Sequence, residues 1–310
     1  MRILRDLTDT PVERASALSI GVFDGVHLGH RYLIEKLMES AKSGALLSGV
    51  VTFHEHPDNV LIPQRPIRYL TTLDEKMALL GELQLDFAVI LSFTTELAQT
   101  SARDFVASLI DQLGMKELWT GPDFALGRDR QGDAAYLRVL GQELGFRVET
   151  PQPLLHQDKV ISSSSIRALL REGQVMEASR LLGRCPTLTG KVVKGARRGQ
   201  DLGFPTANLA VDEQLLVPRD GIYAVRVRWR ATNHQGVVNI GTRPTFERDG
   251  ERTVEAHLLD FAGDLYGRTL ELAFVRRLRP ERRFESAEAL IAQMNDDIGQ
   301  TRRLFGELQP

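Results

Sequence analysis

The feature that most constrains the fold of this chain is a change in the pattern of apolar residues near Gly183. From about residue 15 to residue 182, short apolar runs such as "ALSIGVF", "ALLSGVVTF" and "DFAVILSF" alternate with segments whose apolar residues recur every three or four positions. Short continuous apolar runs are typical of strands buried on both faces, and the segments between them are typical of amphipathic helices. This alternation predicts an α/β doubly wound domain, in which ligands bind beyond the carboxyl ends of the parallel strands.

After Gly183 the strand-like runs follow one another without helices between them, and Gly, Pro and Asp residues separate them. The run "YAVRVRW" alternates apolar and polar residues, which is typical of an antiparallel sheet with one solvated face. The last segment, "SAEALIAQMNDDIGQTRRLFG", has a helical stripe, and Ser286 suits its N-cap. The second half is therefore predicted to be an all-β barrel with a terminal helix. The boundary is placed in "LGRCPTL", which gives domains 1–183 and 184–310.

The composition is that of a globular chain of 310 residues with a formal net charge of −2. Its single cysteine, Cys185, excludes an intrachain disulfide framework and a multi-cysteine zinc site. The sequence has no signal-peptide pattern and no apolar run of ~18–20 residues, so we expect a cytoplasmic protein without a membrane partner. The near-neutral charge predicts no nucleic-acid partner and leaves formation of a homo-oligomer open.

The stretch "SIGVFDGVHLGHRYLIEKL" joins a strand that ends at Phe23 to a helix that begins near His30. Free backbone N–H groups and the helix dipole favour an anion at such a corner. Gly29 removes a side chain where a nucleotide could approach the backbone, and His27 and His30 share one side of the first turn. Histidine and glycine are also ordinary turn residues, but the preceding strand and the Asp-Gly turn favour a phosphate site.

A second signal lies downstream in "ISSSSIRALL", where four serines open a helix and Arg167 follows one turn later. One serine suffices as an N-cap, so the remaining hydroxyls and the arginine favour a phosphate clamp. His54 and His56 have no third ligand nearby, and we expect no transition-metal site.

The second half carries "GKVVKGARRGQDLGFPTANL", a basic loop rich in glycine. Glycines let backbone amides approach an anion, and the cations supply countercharge. Thr206 and Asn208 offer two oxygen donors at i, i+2, which suits one Mg²⁺ that also binds phosphate. A plain glycine-rich hairpin with a Pro205 turn is the alternative. Glu255 lies in a strand-like run, where carboxylates commonly face solvent, although a phosphoryl acceptor needs a base.

The motifs "GVFDGVHLGH", "TFHEHP", "GPDFALGRDRQGD" and "ISSSSIR" resemble, in order and spacing, those of bacterial FAD synthetases. That module is similar to Rossmann-like nucleotidyltransferases with an H-x-G-H motif. The resemblance implies that FMN attacks the α-phosphate of Mg-ATP, giving FAD and pyrophosphate. It implies phosphate and transition-state contacts for His27 and His30, and a place beside the metal and nucleotide for Asp123. Residues expected to hold phosphates or nucleotide in this half are Ser163, Ser164, Arg167, Gly21, Phe23, Asp24, Gly25 and Gly29.

Three positions depart from the family pattern. The common "P-H-P" has Glu55 in place of its first proline, the aromatic of "DFxFG" is Leu126, and the usual "SST" is "SSS". The first two departures affect loops that we associate with flavin or nucleotide contact. The third keeps a hydroxyl group.

The motifs "GFPTAN", "GIYAV", "NIGTRPTF", "VEAHLLDF" and "LRPERRFES" resemble riboflavin kinase, from about Pro186 to the C-terminus. The resemblance implies a six-stranded Greek-key barrel, with Thr206 and Asn208 on the Mg²⁺ of ATP. Glu255 would be the general base that activates the terminal ribityl hydroxyl of riboflavin. The loop residues expected to bind nucleotide are Gly195, Arg198, Gly203 and Pro205.

Taken together, these patterns predict a bifunctional enzyme of FAD biosynthesis that uses riboflavin, FMN and ATP with Mg²⁺ and no transition metal. One alternative is a riboflavin kinase whose adenylyltransferase half is weak or inactive, because of Glu55 and Leu126. The other is a flavin- or nucleotide-binding regulator without catalysis.

Overall fold

The computed structural model describes residues 1–8, 14–195, 203–242 and 252–307. The chain divides into two compact units, Met1–Ser163 and Ser164–Pro310. Within the described residues, no helix combines the length and the apolar character that crossing a membrane requires.

The first unit is built on parallel strands and helices that alternate along the chain. The strands are β1 (Arg2–Leu4), β2 (Ser16–Ile20), β3 (Leu47–Phe53), β4 (Phe87–Leu91), β5 (Met115–Trp119), β6 (Ala125–Leu126), β7 (Gly132–Asp133), β8 (Arg147–Glu149), β9 (Leu155–His156) and β10 (Lys159–Val160). The helices are α1 (Leu28–Ser43), α2 (Pro57–Leu61), α3 (Leu73–Gly81), α4 (Thr95–Gln99), α5 (Ala102–Leu113) and α6 (Ala134–Leu144). Six strands form one parallel sheet in the order β1-β4-β3-β2-β5-β8, and β6-β7 and β9-β10 are small hairpins.

Each face of this sheet has its own apolar core. Along β4, Phe87, Val89 and Leu91 belong to the core shared with α5 and α6, whereas Ala88 and Ile90 belong to the core shared with α1 and α3. Successive side chains of a strand point to opposite faces, so a continuous apolar run serves two layers of helices. This is the doubly wound arrangement that the alternation predicts, and that prediction is confirmed.

The order of the strands reverses at β2. The chain proceeds outward from β2 to β3 and β4, then crosses back so that β5 pairs with the other side of β2. The crossovers leaving β2 and β5 therefore diverge, and they leave a crevice beyond the carboxyl ends of these two strands. Ligands of doubly wound folds bind at such a switch point.

The second unit is a closed barrel with helices on its outside. Its elements are α7, which begins at the last residue of the first unit (Ser163–Glu172), α8 (Val175–Leu182), β11 (Thr187–Val193), β12 (Ala207–Val211), β13 (Gly221–Trp229), β14 (Thr232–Thr242), β15 (Arg252–Leu258), β16 (Thr269–Arg279) and α9 (Ala287–Glu307). The barrel closes in the order β11-β12-β15-β14-β13-β16, and every pair is antiparallel. Strand β16 returns beside β13 after the meander β13-β14-β15, which is a Greek key. The predicted six-stranded barrel with a terminal helix is confirmed.

Helix α9 covers part of the barrel wall. The Ser286 Oγ accepts a hydrogen bond from the Ala289 backbone N–H at 3.2 Å, so Ser286 caps this helix as expected. Leu304 and Phe305 pack on Ala224 near the end of the helix. Nearer its middle, the buried carboxylate of Asp297 accepts hydrogen bonds from Arg279 of β16, at 2.8 Å from Nη2. This ion pair fixes the spacing between helix and barrel at the side of a cleft.

Candidate active sites

A cleft of about 290 Å³ opens at the switch point of the parallel sheet. We call it the first cleft. Its lining comes from the turn after β2, the start of α1, residues 120–124 after β5, the β9-β10 hairpin, and Ser163. Of the predicted nucleotide residues, it brings together Gly21, Phe23, His27, Gly29, His30, Asp123 and Ser163.

His27 and His30 form a stacked pair at the start of α1. Their ring centroids lie 3.5 Å apart with an angle of 18° between the planes. His27 is the N-cap of α1, and its Nδ1 accepts the backbone N–H of His30 at 3.2 Å. An accepting Nδ1 places the proton of a neutral imidazole on Nε2, so His27 presents an N–H donor on its other side.

The environment of His30 keeps its ring uncharged. Burial lowers the pKa of His30 well below 6.5, and repulsion from the Lys76 ammonium and from His27 whenever that ring is protonated lowers it further. The His30 Nδ1 is buried and has no hydrogen-bond partner among the described residues. A neutral ring with an unpaired buried nitrogen can bind a ligand atom without first giving up another partner.

The turn between β2 and α1 is strained and firmly held. Phe23 and Val26 have φ angles of 50° and 37°, which non-glycine residues rarely adopt. The buried carboxylate of Asp24 accepts backbone N–H bonds from Leu70 at 2.9 Å and from Thr71 at 3.2 Å. Asp24 therefore holds the turn in place, and a direct contact of this residue with nucleotide stays a prediction. The Gly25 N–H donates to the Thr71 hydroxyl at 3.2 Å in the same network.

Glycine is required at position 29 for a steric reason that cannot be recognised from the sequence alone. A Cβ at this position would lie 3.1 Å from His27 Nδ1 and 3.2 Å from the Ile161 carbonyl oxygen. Both distances are tighter than ordinary contacts, so a side chain here would displace the His27 ring. Gly29 thus keeps the histidine pair stacked, whether or not a nucleotide also approaches it.

The residues of the serine-rich motif at the start of α7 belong to different compact units. The Ser163 Oγ donates to the Asp24 carbonyl at 2.9 Å, and both residues belong to the first compact unit. Further along α7, Ser164 is exposed and Arg167 is buried. These two residues belong to the second compact unit, and their contact with phosphates stays a prediction.

The departures from the family pattern occupy ordinary structural positions. Leu126 is buried in the core beside α5 and α6. Glu55 Oε1 accepts a hydrogen bond from His54 Nδ1 at 2.8 Å near the surface. The Nδ1 of His56 accepts the Asp58 N–H at 3.1 Å and caps α2. No group of three or more His, Cys, Asp or Glu side chains that could hold a metal ion occurs among the described residues.

Lys76 is a residue of this site that the sequence reasoning missed. Its buried ammonium donates to the Val22 carbonyl at 3.1 Å, the Thr52 hydroxyl at 3.1 Å and the Phe53 carbonyl at 2.8 Å. These acceptors lie at the carboxyl ends of β2 and β3, next to the histidine pair. Burial lowers the pKa of Lys76 from 10.5 to about 8, against the opposing charge of Asp24. In sequence, Lys76 looks like one more polar position on an amphipathic helix.

The barrel carries a row of polar side chains across adjacent strands. Asn208 of β12 stands opposite Glu255 of β15, and Glu255 stands opposite Asn239 of β14. Residues directly opposite in an antiparallel pair share a face, with Cβ atoms about 4.5–5.5 Å apart. The neighbours Ala207 and Ala256 are buried on the inner face, so the row lies on the outer wall. Thr206, two residues before Asn208, shares this wall.

Two cavities of the second unit meet at Thr206. One, of about 600 Å³, is lined by Pro205, Thr206 and residues 261–266. The other, of about 300 Å³, lies between the outer wall and α9, and its lining includes Thr206, Asn239, Glu255 and Phe284. A site for transfer between two bound molecules needs such adjoining spaces with a base at the junction.

Gly195 makes room for a predicted metal ligand. A Cβ on Gly195 would collide with the side-chain amide of Asn208. Gly203 has a φ of 86° at an exposed position, and the Pro205 carbonyl accepts a hydrogen bond from His257 Nδ1 at 2.8 Å. Arg198, which the sequence also places in this loop, lies outside the described residues, as do Arg197 and Gly199.

The donors at Thr206 and Asn208 fit a magnesium ion. Mg²⁺ prefers oxygen ligands, keeps several waters, and binds through few protein side chains when a phosphate supplies the rest. Thr206 and Asn208 are half-buried and share one face, and Thr206 borders the larger cavity. Two oxygen donors on a wall of this kind suit a cation that arrives with a nucleotide.

The fold and the two sites define a class: a transferase with a nucleotidyltransferase-type switch-point site and a separate phosphotransfer site on a barrel. The model of the FAD synthetase family matches residues 9–165. The model of the riboflavin kinase family matches residues 182–305. Each match covers one of the two half-chains that the sequence separates.

Full-length relatives give the same result. The bifunctional riboflavin kinase/FMN adenylyltransferase of Pseudomonas fluorescens is 38% identical over 306 residues, which cover 98% of each chain. The protein of that name from Escherichia coli K12 is 36% identical over 312 residues, covering 100% of this chain and 99% of that one. This chain belongs to the family of bifunctional riboflavin kinase/FMN adenylyltransferases. The family resemblance predicted from the motifs is confirmed.

A solved structure from Streptococcus pneumoniae has the same fold over its whole length. It is named a macrolide-efflux protein, is 29% identical, and superposes with a TM-score of 0.89 over 97% of this chain and 98% of that one. That name applies to the Streptococcus pneumoniae protein and is not carried over to this chain. The motifs of this chain and its full-length relatives belong to flavin metabolism.

Replacement of Lys76 by methionine tests the buried ammonium through its pH dependence. Because the pKa of Lys76 is lowered on folding, the unfolded chain binds more protons between about pH 8 and 10.5. The free energy of unfolding of the wild type should therefore rise relative to that of Lys76→Met across this window, by at most about 3 kcal/mol. Denaturant unfolding from pH 7 to 10.5 measures the difference. The exposed Lys42→Met is the control, and a difference that falls with pH would contradict the assignment.

Replacement of Gly195 by alanine tests the packing around Asn208. Since the added Cβ displaces the Asn208 amide, conversion of riboflavin to FMN should fall at least ~10-fold. Conversion of supplied FMN to FAD should stay unchanged, and chromatography of the products measures both. Gly306→Ala, whose Cβ meets nothing within 4 Å, is the matched control. Equal FMN formation by the Gly195 and Gly306 variants would show that this glycine is dispensable.

Proposed function

We propose that the two halves act in sequence, the barrel making FMN from riboflavin and the parallel-sheet domain making FAD from FMN. The observation that carries the kinase half is the junction of two cavities at Thr206, with Glu255 on the wall of one of them. The larger cavity binds ATP. The smaller one, which contains Phe284 and aliphatic side chains, binds the flavin.

In the kinase step, Glu255 takes the proton of the terminal ribityl hydroxyl while that oxygen attacks the γ-phosphorus of ATP. The new bond is the P–O bond of FMN, and the bond to the β-phosphate oxygen breaks to release ADP. Thr206 and Asn208 hold the Mg²⁺ of ATP. When bound, this ion neutralises charge on the phosphate oxygens. Gly195, Arg198, Gly203 and Pro205 contribute to the binding of the nucleotide.

In the adenylyltransferase step, a phosphate oxygen of FMN attacks the α-phosphorus of ATP and pyrophosphate leaves. No proton needs to be removed from a phosphate dianion, so the histidines serve as donors and not as bases. The Nε2–H of His27 and the neutral ring of His30 donate to phosphate oxygens that gain charge in the transition state. The start of α1 adds its free N–H groups and dipole.

The remaining predicted residues bind the nucleotide or shape the turn that holds the histidines. Asp123 lies beside the nucleotide and its metal at the rim of the first cleft. Ser163, Ser164 and Arg167 hold the phosphates from the start of α7, where an arginine can bind two oxygens at once. Gly21, Phe23, Asp24 and Gly25 give the turn its shape. We place the domain boundary between residues 183 and 184 and both reactions in the cytoplasm.

Two variants separate the activities. Glu255→Gln removes the base and should reduce FMN formation by about 10²–10⁴-fold, while conversion of supplied FMN to FAD persists. His30→Ala should do the reverse, because it removes a donor only from the first cleft. Product chromatography over time, from riboflavin and from FMN with Mg-ATP, measures both steps. Loss of both activities in either folded variant would contradict separate sites.

The wild-type protein decides between this function and its alternatives. Formation of FMN without FAD above background would assign it as a kinase with an inactive adenylyltransferase half. Flavin binding without any consumption of ATP would assign it as a regulator.

A further inference from the structure

Asn239 lies beside Glu255 and has no role in the reaction described above. It stands opposite Glu255 across the β14-β15 pair and opposite Ile222 across the β13-β14 pair. Opposite residues share a face of the sheet, so the Asn239 side chain lies on the outer wall next to the carboxylate. The row therefore reads Asn208, Glu255, Asn239, Ile222 from one edge of the site to the other.

The side-chain oxygen of Asn239 has no hydrogen-bond partner among the described residues. Asn239 lines the cavity between the outer wall and α9, and its Oδ1 is buried without a hydrogen bond to any described residue. A buried polar atom without a partner is unfavourable, and such atoms are commonly paired by a ligand or water. Ile222 offers no polar group, and an ionised Glu255 has no proton to donate to Oδ1.

The chemistry of a matching ligand follows from the amide. The oxygen and nitrogen of an asparagine side chain are distinguished only by their hydrogen bonds, so both orientations of the amide are available toward the cavity. A hydroxyl group can donate to the oxygen or accept from the nitrogen, and it serves both orientations. A chain of neighbouring hydroxyls can place one hydroxyl at Asn239 and the next at Glu255.

We propose that Asn239 is a specificity-determining residue of the kinase site. It binds a secondary hydroxyl of the ribityl chain and thereby holds the terminal hydroxyl at Glu255. The inference rests on the proposed kinase function and adds the selection of a hydroxylated side chain on the flavin. The isoalloxazine ring itself makes no use of this residue.

Asn239→Val and Asn239→Thr form a matched pair for the test. The two replacements have nearly the same shape and both suit a strand, and they differ in a methyl against a hydroxyl group. Flavin fluorescence measures the binding of riboflavin and of lumiflavin, which has a methyl group in place of the ribityl chain. Chromatography measures kcat and KM for FMN formation.

Asn239→Val should weaken riboflavin binding about 10-fold and leave lumiflavin binding within twofold of the wild type. Asn239→Thr should retain more of the preference for riboflavin, and kcat for FMN formation should fall more in the valine variant. FAD formation from supplied FMN reports that both variants are folded. Asn233→Val, at the exposed end of the same strand, should change nothing.

The contrary results are distinct. Equal weakening of both flavins, or identical behaviour of the valine and threonine variants, would show that Asn239 only packs the cavity, and either result overturns the inference. Unchanged riboflavin binding by Asn239→Val in an active kinase overturns it as well. A wild-type protein that does not phosphorylate riboflavin overturns the proposed function, and this inference with it.

Discussion

The pairing of β2 with β3 on one side and β5 on the other is the constraint on which the first site depends. Parallel strands end at the same edge of a sheet, so this pairing brings the turn after β2 and residues 120–124 after β5 to one crevice. Lys76 then links the ends of β2 and β3, because its ammonium donates hydrogen bonds to both the Val22 carbonyl and the Phe53 carbonyl. At this edge the turn after β2 holds its left-handed residues and presents two stacked imidazoles. The location of the site is thus set by the order of the strands, and the histidines provide its chemical groups.

In the barrel, the register between strands determines which residues form the second site. Asn208, Glu255 and Asn239 come from three strands, and only the antiparallel pairing places them side by side. A shift of one residue in β15 would turn Glu255 into the barrel interior and bring Val254 or Ala256 to the wall. The apolar residues that alternate with this row are buried, so the core of the barrel enforces the register. The stability of the barrel and the geometry of the proposed site are therefore specified by the same alternation.

The sequence predicts the architecture well because the period of apolar residues is a local signal. The doubly wound half, the barrel, the terminal helix and the Ser286 cap all follow from short stretches of sequence. Lys76 and Asn239 do not, because their roles depend on partners far along the chain. The carbonyls that Lys76 binds are 54 and 23 residues away, and Asn239 gains its place only through the barrel register. Asp24 and Gly29 were identified from their motif, but their contacts with residues 70–71 and with the His27 ring require the folded turn.

The charge of the two sites explains why each would require a nucleotide that brings its own cation. Among the described residues, neither the lining of the first cleft nor that of the larger barrel cavity contains a lysine or an arginine. His30 is held neutral by burial, and the nearby Lys76 is already bonded to three oxygens. The charge of a triphosphate in either space is therefore left to the cation that travels with it and to the arginines proposed above, Arg167 and Arg198. In the first cleft the dipole and free N–H groups at the start of α1 add to this. Neutral donors bind phosphate less tightly than a cluster of arginines would, so both sites depend on the nucleotide's own cation more than a site built on arginines does.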